Sequence, residues 1–292
     1  MKYPFLIVST FCLLVLCACN RRVISDKSHF CESVCAYDNG LLIANFGGNK
    51  LNPLNTEGKG YITFYKDHKM AVLLPADGYM SAPKGLAVRG NYLFVADVNK
   101  ILLYDLVNKN DPPQVIPFPE ADVFVNDLEI IGEVLLASVT NTGNIYALDI
   151  SNPASVDPNS LAIYAMVPGA NGLLSAYGKL FIASYAPDGV SKEENVIYLI
   201  DDLTRPVVQS LTHRAGQYDG LALSSNGEYL FFTDWNQGVL GKLCLATGAI
   251  ETIATPIKID GPADMDWYGD QLAIPDLVNS RVILVNNVLS DK

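Results

Sequence analysis

The chain has 292 residues, of which half are apolar, 17% are charged and 10% are aromatic. This composition excludes a disordered chain, a collagen-like repeat and a coiled coil, because each of those classes requires a different residue usage. The 20 basic residues are outnumbered by 31 acidic ones, for a formal net charge of −11. A chain with this charge repels phosphate backbones, so nucleic acid is not an expected partner.

Residues 1–18 are predicted to be a signal peptide. A positive start is followed by an apolar run over residues 4–15, which is too short to span a membrane stably. The run leads into the sequence Leu-Cys-Ala-Cys, whose last residue is Cys19. This resembles the bacterial lipoprotein signal, which implies lipidation of Cys19, a short tether over 19–21 and a lipid anchor in the cell envelope, on the outer membrane of a cell that has two. The alternative is an ordinary secretory signal that is cut near Ala18.

Six later segments share one pattern: a polar residue, a short apolar strand, a tight turn with glycine and a second apolar strand. Their turn glycines follow one another every 40 to 50 residues or so, a repeat length that indicates a modular fold. These glycines are Gly40, Gly90, Gly132, Gly178, Gly227 and Gly269. A third apolar strand follows in each unit, and a fourth in most, with Asn, Gly, Asp and Pro between the strands.

Four antiparallel strands per unit are typical of a β-propeller blade, so six units predict an all-β, six-bladed β-propeller that forms one domain over residues 19–292. The sixth unit lacks a fourth strand after Val285, and we expect residues 22–25 to supply it and close the ring. The long loops at 46–59 and 185–195 are expected to overhang one mouth of the central channel. Function is therefore expected at that mouth.

The first residues of the six units are predicted to surround that same mouth. In chain order they are Glu32, Lys84, Asn126, Asn171, Asp219 and Ala263. Two carboxylates and two amide carbonyls in this ring suit one divalent cation, with Ca²⁺, Mg²⁺ or Mn²⁺ favoured over Zn²⁺. Asn and Asp are also common turn formers before glycine, so the prediction depends on four matching residue types in one structural register.

The segments that begin at Glu32, Asn126, Asn171 and Asp219 resemble, in this order, the senescence marker protein/gluconolactonase family. Members of that family are six-bladed propellers that hydrolyse sugar lactones around one divalent metal ion. The resemblance covers nearly the whole chain after the signal peptide and implies that these four residues are metal ligands, with Asp219 as the catalytic group near the reacting water. Family members that take acidic or polyhydroxylated lactones usually carry an arginine two residues before the first ligand asparagine, where this chain has Phe124.

Five further residues are candidates for substrate binding: Lys84, Phe124, Asp127, Tyr185 and Tyr218. The three aromatic side chains predict a mouth that suits a less polar ligand or a stacked sugar ring. Lys84 has two interpretations, a channel-facing anchor for the substrate or an ion pair with Asp127. The ion pair is the favoured one.

The sequence thus predicts a metal-dependent hydrolase of the lactone or ester type that acts as a monomer on a small molecule. The cation would polarise the carbonyl group, and Asp219 would accept a proton. The Gly-x-Ser-x-Gly motif of serine hydrolases is absent from the sequence. The alternative is a non-catalytic propeller, a lipid-anchored module for binding or scaffolding at the cell envelope. The two functions differ in whether the four oxygen-bearing side chains must converge.

Overall fold

The computed structural model describes residues 23–286, which fold almost entirely as β-strands. The signal peptide, Cys19 and the tether lie outside the described residues and stay predictions. One short 3-10 helix, Pro158–Ser160, interrupts the strands. Within residues 23–286, no helix is long and apolar enough to cross a membrane.

The strands form six four-stranded antiparallel sheets, and these are the six predicted blades. Blade 1 consists of β2 (Cys31–Tyr37), β3 (Gly40–Asn45), β4 (Tyr61–Lys66) and β5 (Lys69–Leu74), and blade 2 of β6 (Pro83–Arg89), β7 (Tyr92–Asp97), β8 (Lys100–Asp105) and β9 (Gln114–Pro117). Blade 3 consists of β10 (Val125–Ile131), β11 (Val134–Val139), β12 (Asn144–Asp149) and β13 (Ala162–Met166), and blade 4 of β14 (Ala170–Ala176), β15 (Lys179–Ser184), β16 (Tyr198–Ile200) and β17 (Val208–Ser210). Blade 5 consists of β18 (Tyr218–Leu223), β19 (Tyr229–Asp234), β20 (Val239–Cys244) and β21 (Ile250–Ile253). Blade 6 consists of β22 (Asp266–Tyr268), β23 (Gln271–Asp276), β24 (Arg281–Val285) and β1 (Val23–Ile24).

The ring closes through the N-terminal strand, as the sequence predicts. Strand β1 pairs antiparallel with β24, with Val23 opposite Ile283 and Ile24 opposite Val282. The inner strands β2 and β22 also contact each other, so blade 6 joins blade 1. Closure leaves blade 6 with four strands although its own segment of chain supplies only three.

The core lies between neighbouring blades, where the apolar faces of two sheets meet. Between blades 1 and 2, for example, Leu42 and Ile62 pack with Leu93 and Leu102, and all four side chains are fully buried. Burying each such side chain stabilises the fold by roughly 1.5 to 3 kcal/mol. The second strands, such as β3 and β7, are buried almost throughout, so apolar packing on both faces of each sheet holds the blades around the channel.

The tight turns that join the first and second strands use the predicted glycines in five of the six blades. Gly90, Gly132, Gly178, Gly227 and Gly269 all have positive φ, between 61° and 76°, which glycine adopts without steric cost. Blade 1 differs, because Asp38 and Asn39 take the left-handed conformation there and Gly40 begins the next strand. A side chain at Gly40 would lie 2.6 Å from the Tyr65 carbonyl oxygen, so that glycine is required for close packing instead.

Candidate functional site

The inner strand of each of the first five blades carries a β-bulge close to its start. In β10, Val125 pairs with Val139 and Leu128 pairs with Ala137, so that two residues, Asn126 and Asp127, lie opposite one. The same register shift occurs at the matching positions of β2, β6, β14 and β18. A bulge re-aims the side chains at the shift, and bulges are common beside functional sites. The first bulged residues are Glu32, Lys84, Asn126, Asn171 and Asp219, which are five of the six predicted ring residues.

Glycine follows the first bulged residue in blades 2, 4 and 5 because neighbouring inner strands approach closely at that point. A Cβ atom on Gly172 would lie 2.0 Å from the Asp219 carbonyl oxygen, and one on Gly85 would lie 2.5 Å from Asp127 Oδ1. The Lys-Gly, Asn-Gly and Asp-Gly pairs of the sequence are therefore packing requirements of the channel and not hairpin turns.

A cavity of about 400 Å³ opens at the predicted mouth. Its floor is formed by the four predicted metal ligands, Glu32, Asn126, Asn171 and Asp219. The two long loops also reach it, through Leu51 and Pro53 from one loop and residues 187–189 from the other. The structure thus brings the four side chains to one cavity and places both loops over it. We call this end of the channel the site mouth.

Three oxygen atoms in the floor are buried and accept no hydrogen bond: Glu32 Oε2, Asn171 Oδ1 and Asp219 Oδ1. Burying an acceptor without a donor costs about 1 to 3 kcal/mol, and more where the group is charged. The amide oxygen and the oxygens of the ionised carboxylates can only accept, so water, a donor group on a ligand or a cation is needed to satisfy them. Three such atoms in the floor of one cavity indicate a ligand-binding site.

The fourth side chain, Asn126, is fixed by a hydrogen-bond chain beneath it. The Thr140 hydroxyl donates to the Ala170 carbonyl oxygen over 2.9 Å, so its proton is already used. The Thr140 oxygen must then accept from Asn126 Nδ2, which lies 3.0 Å away. The amide nitrogen of Asn126 is thereby engaged, and its carbonyl oxygen is left available to a ligand.

Charge repulsion and burial act together on the two carboxylates of the floor. Burial raises the pKa of Glu32 well above its ordinary value, the nearby Asp219 charge raises it further, and Lys84 opposes the rise. Burial also raises the pKa of Asp219, with a contribution from Asp264, while a hydrogen bond from Asn171 opposes it. Two carboxylates whose ionisation is disfavoured by burial are stabilised as anions when a cation binds between them.

The donor set fits a hard divalent cation. Its atoms are carboxylate and amide oxygens, the ligands that Ca²⁺, Mg²⁺ and Mn²⁺ prefer. In the part of the chain that the structure describes, no three His, Cys, Asp or Glu side chains are grouped to hold a metal ion. A cation in the floor would therefore have to use the two asparagine amides together with the two carboxylates.

Lys84 occupies neither of its two predicted positions. Its side chain is fully buried, its ammonium group donates to the Ala82 carbonyl oxygen over 3.0 Å, and it does not line the cavity. The ammonium also lies 5.7 Å from the ring centre of Phe46 and 5.2 Å from that of Phe124. Burial lowers its pKa, against the opposing charges of Glu32 and Asp97. The predicted ion pair with Asp127 is wrong, because the bulge turns Lys84 toward Glu32 instead.

Asp127 faces the other end of the channel. It is the second residue of its bulge, and its carboxylate accepts hydrogen bonds from the Leu128 amide over 2.7 Å and from the Leu173 amide over 2.6 Å. It lines a separate cavity of about 240 Å³ together with Glu129, Asp264 and Asp266. We call this end the opposite mouth. Asp127 links two blades there, so the structure gives it no contact with a ligand at the site mouth.

The predicted aromatic residues divide into two groups. Phe124 and Tyr185 line the cavity. Tyr218 does not, because its ring is fully buried against Phe232 and its hydroxyl donates to the Arg214 carbonyl oxygen over 2.8 Å. Tyr218 is the residue just before the Asp219 bulge, and there the strand still directs its side chain into the core between blades.

Most of the apolar wall of the cavity was not predicted from the sequence. In five blades an apolar residue lies directly after the second strand: Phe46, Val98, Tyr185, Trp235 and Leu277. Phe46, Val98 and Leu277 pack in one cluster, against which Trp235 also packs. All except Val98 line the cavity. We call these five residues the apolar collar. Tyr185 was identified from this position, and applying the same register to every blade would have found the others.

Comparison with known proteins supports the architecture. No family model matches the chain, and no curated protein matches it. A structural genomics protein of unknown function from Bacteroides thetaiotaomicron is similar in structure, with a TM-score of 0.63 and 11% sequence identity over 88% of this chain and 69% of that one. A chain in the crystal structure of a nidogen/laminin complex has a TM-score of 0.59 and 12% identity over 88% of this chain and 93% of its own. At these identities the likeness shows the fold alone, that of a six-bladed β-propeller.

Proposed function

We propose that this propeller is a divalent-metal-dependent hydrolase of the lactone or ester type. The observation that carries the proposal is the set of three unpartnered oxygen atoms, from Glu32, Asn171 and Asp219, in the floor of one cavity. A binding surface for a protein partner has no need of buried, unsatisfied acceptors at the bottom of a cavity. A cation site requires acceptor atoms of this kind.

The four floor residues would hold the cation, and neighbouring side chains assist two of them, Glu32 and Asn126. A cation there would supply a Lewis acid that polarises the carbonyl group of a lactone or ester. Lys84 favours the ionised form of Glu32 without entering the cavity, since its charge opposes the rise in the pKa of Glu32. Thr140 fixes the amide of Asn126.

Asp219 is the candidate general base. Its carboxylate lines the cavity, and one of its oxygens has no hydrogen-bond donor. Burial raises the pKa of Asp219, and the hydrogen bond from Asn171 opposes that rise, which favours the form that accepts a proton. Tyr185 lies near enough to sense the Asp219 charge, and burial and that charge together raise the pKa of Tyr185 to about 12. The tyrosine hydroxyl therefore stays protonated at neutral pH.

The test is hydrolysis by the full chain after chelation, followed by addition of Ca²⁺, Mg²⁺ or Mn²⁺ one at a time. We expect hydrolysis of lactones or esters to need one of these ions, and Asp219→Asn to lower kcat by roughly 100-fold or more, as loss of a general base does. The matched control is Asp264→Asn, a buried carboxylate at the opposite mouth, which should retain activity within a few-fold. Hydrolysis that persists after chelation contradicts the proposal.

The same experiment separates the hydrolase from the alternative of a non-catalytic module. A chain that binds the cation and hydrolyses no lactone or ester, whatever its substituents, would be a binding or scaffolding module instead. A lipid anchor at Cys19 is compatible with both and is proposed on the N-terminal sequence alone.

A further inference from the structure

Polar and apolar groups occupy different levels of the cavity at the site mouth. The floor consists of the carboxylates and amides of the four candidate ligands. Above them, opposite the residues that precede the ligands, the wall is formed by all residues of the apolar collar except Val98, together with Phe124. A molecule whose reacting group touches the floor therefore has the remainder of its surface against apolar atoms.

The wall offers no positive charge to a substrate. Among the described residues that line the cavity, the ionisable ones are Glu32, Asp188, Asp219 and Tyr185, and none is Lys, Arg or His. The nearby ammonium of Lys84 lies behind the rings of Phe46 and Phe124 and is bonded to a backbone carbonyl. Asp188, at the rim, is paired with Lys192 over 3.3 Å, with both side chains about half exposed. An anionic substituent that lies against the wall, away from the cation in the floor, would thus meet no basic side chain.

The wall also offers few hydrogen bonds to a polyhydroxylated substrate. Of the groups above the floor, the side chains of Phe46, Phe124 and Leu277 have no polar atom. A buried hydroxyl that loses its water without gaining a partner weakens binding by about tenfold or more. Several hydroxyl groups on one ring would multiply that loss.

The aromatic side chains are placed to hold a flat apolar group. Blades 1 and 4 lie opposite each other in a six-bladed ring, so Phe46 and Tyr185 approach the cavity from opposite sides. The rings of Tyr185 and Trp235 meet edge to face, with their centres 6.2 Å apart. Phe124 is held in place by the ammonium below it. Such packed aromatic walls bind apolar rings with little loss of conformational freedom.

From this arrangement we infer that the substrate is an uncharged lactone or ester whose reacting carbonyl is flanked by an apolar, preferably aromatic, substituent. The reaction in this inference rests on the proposed function, whereas the substrate class rests on the apolar collar and Phe124. Trp235 is assigned as a residue that determines specificity, because it contributes the largest ring of the collar.

The first experiment compares three probes that share a six-membered lactone ring: δ-phenyl-δ-valerolactone, unsubstituted δ-valerolactone and glucono-δ-lactone. With the full chain and its preferred ion, we expect kcat/KM to fall in that order, by at least about thirtyfold from the first to the last, since a buried phenyl group alone accounts for that factor. Equal or higher kcat/KM for glucono-δ-lactone would overturn the inference while leaving the hydrolase proposal intact.

The second experiment needs no turnover. Binding of the matching lactams, δ-phenyl-δ-valerolactam and gluconolactam, is measured by thermal shift on the same protein. Preference for the phenyl lactam without hydrolysis of any lactone supports the substrate class and rejects the hydrolase. Absence of binding of either lactam together with absence of hydrolysis rejects both.

Trp235→Leu and Trp267→Leu form a matched pair, since Trp235 lines the cavity and Trp267 packs against Phe231 away from it. Trp235→Leu should reduce the preference for the phenyl compound about tenfold, and Trp267→Leu should leave the preference unchanged. Melting curves confirm that both variants are folded. Equal effects of the two changes would contradict the assignment of Trp235.

Discussion

The two ends of the channel both contain buried carboxylates, yet among residues 23–286 only the carboxylates at the site mouth have unpartnered oxygens. At the opposite mouth Asp127 accepts from two backbone amides, and Asp264 accepts from the Ser33 hydroxyl over 2.7 Å. Asp266 likewise accepts from the amides of Ala36 and Trp267. At the site mouth Glu32 Oε2 and Asp219 Oδ1 have no donor at all.

The difference follows from position within the bulge. First bulged residues such as Asp219 line the site mouth, where backbone amides are out of reach, whereas the second bulged residue Asp127 lies against the next blade and meets its amides. Charge alone therefore does not identify a site in this propeller. The supply of hydrogen-bond donors separates carboxylates that hold blades together from carboxylates that are free for a ligand.

The sharpest test of this comparison replaces single carboxylates at the two ends by their neutral amides. Glu32→Gln and Asp219→Asn should each weaken binding of the divalent cation by at least about a hundredfold, close to 3 kcal/mol, because half of the ligand charge is lost. Asp264→Asn should leave the dissociation constant within about fivefold of the wild type, because Asp264 is not a ligand and its charge acts on the cation only from a longer distance. Isothermal titration calorimetry on chelator-treated protein measures all three. A loss at Asp264→Asn equal to that at Asp219→Asn would remove the distinction between the two ends.

The two ends should also respond differently to pH. Burial raises the pKa of Asp264 from its ordinary value of 3.8 to about 7, and the pKa of Asp219 is raised as well. A raised folded-state pKa contributes stability that is complete below pH 4 and is lost as pH rises to 7 and beyond. The metal-free protein should therefore unfold more easily at pH 8 than at pH 5, by roughly 2 kcal/mol or about 5 °C.

Added cation should reverse this trend at the site mouth only, since binding needs ionised Glu32 and Asp219. Melting temperatures at pH 5 and 8, with a chelator or with Ca²⁺, give the comparison. In Asp264→Asn the metal-free protein should lose part of its pH dependence and keep its response to Ca²⁺. A melting temperature of the metal-free wild type that is equal at both pH values would contradict the raised pKa values.

Lys84 and Phe124 form a cation–π pair beside the cavity of the site mouth, and substitution can break it. The ammonium lies 5.2 Å from the centre of the Phe124 ring, so Phe124→Arg would place a second cation beside a buried one. We expect this change to cost roughly 1 to 2 kcal/mol of stability through lost cation–π contact and charge repulsion. The double variant Lys84→Met/Phe124→Arg should recover part of that loss. Urea unfolding of the four proteins gives the coupling energy, and a coupling of zero would show that the two residues act independently.

The smallest effect on stability is expected from removing the Ser33 hydroxyl, which donates a hydrogen bond to Asp264. Ser33→Ala removes the donor to Asp264 Oδ2 and should lower stability at pH 8 by about 1 kcal/mol. At pH 5 the loss should be smaller, because a protonated Asp264 needs the hydroxyl less. Binding of the cation should not change. A marked effect on cation affinity would mean that the two ends of the channel are not separable.

Much of the fold followed from the sequence because each blade repeats the same local signals. Short apolar segments and turn glycines at a repeated spacing predicted six blades, and the missing fourth strand after Val285 indicated closure by the N-terminal segment. The ring positions of Glu32, Asn126, Asn171 and Asp219 were also predictable, since all four occupy one register. The directions of their neighbours were not. Whether Lys84 and Asp127 face one another depends on β-bulges. A bulge shifts a strand by one residue, and no single residue type marks its position in the sequence.

Ring closure also sets a schedule for the assembly of this protein. Glu32 lies in the first blade, while Ile283, which pairs with Val23, lies close to the end of the chain. The pairing joins the first and the last strand of the propeller, so it is a contact of very long range in sequence, the kind that forms slowly. Until it forms, Glu32 and Asp219 are not held across a complete ring, and their carboxylates do not yet oppose each other in a buried site. A site built from blades 1, 3, 4 and 5 can thus reach its final form only after β1 has paired with β24.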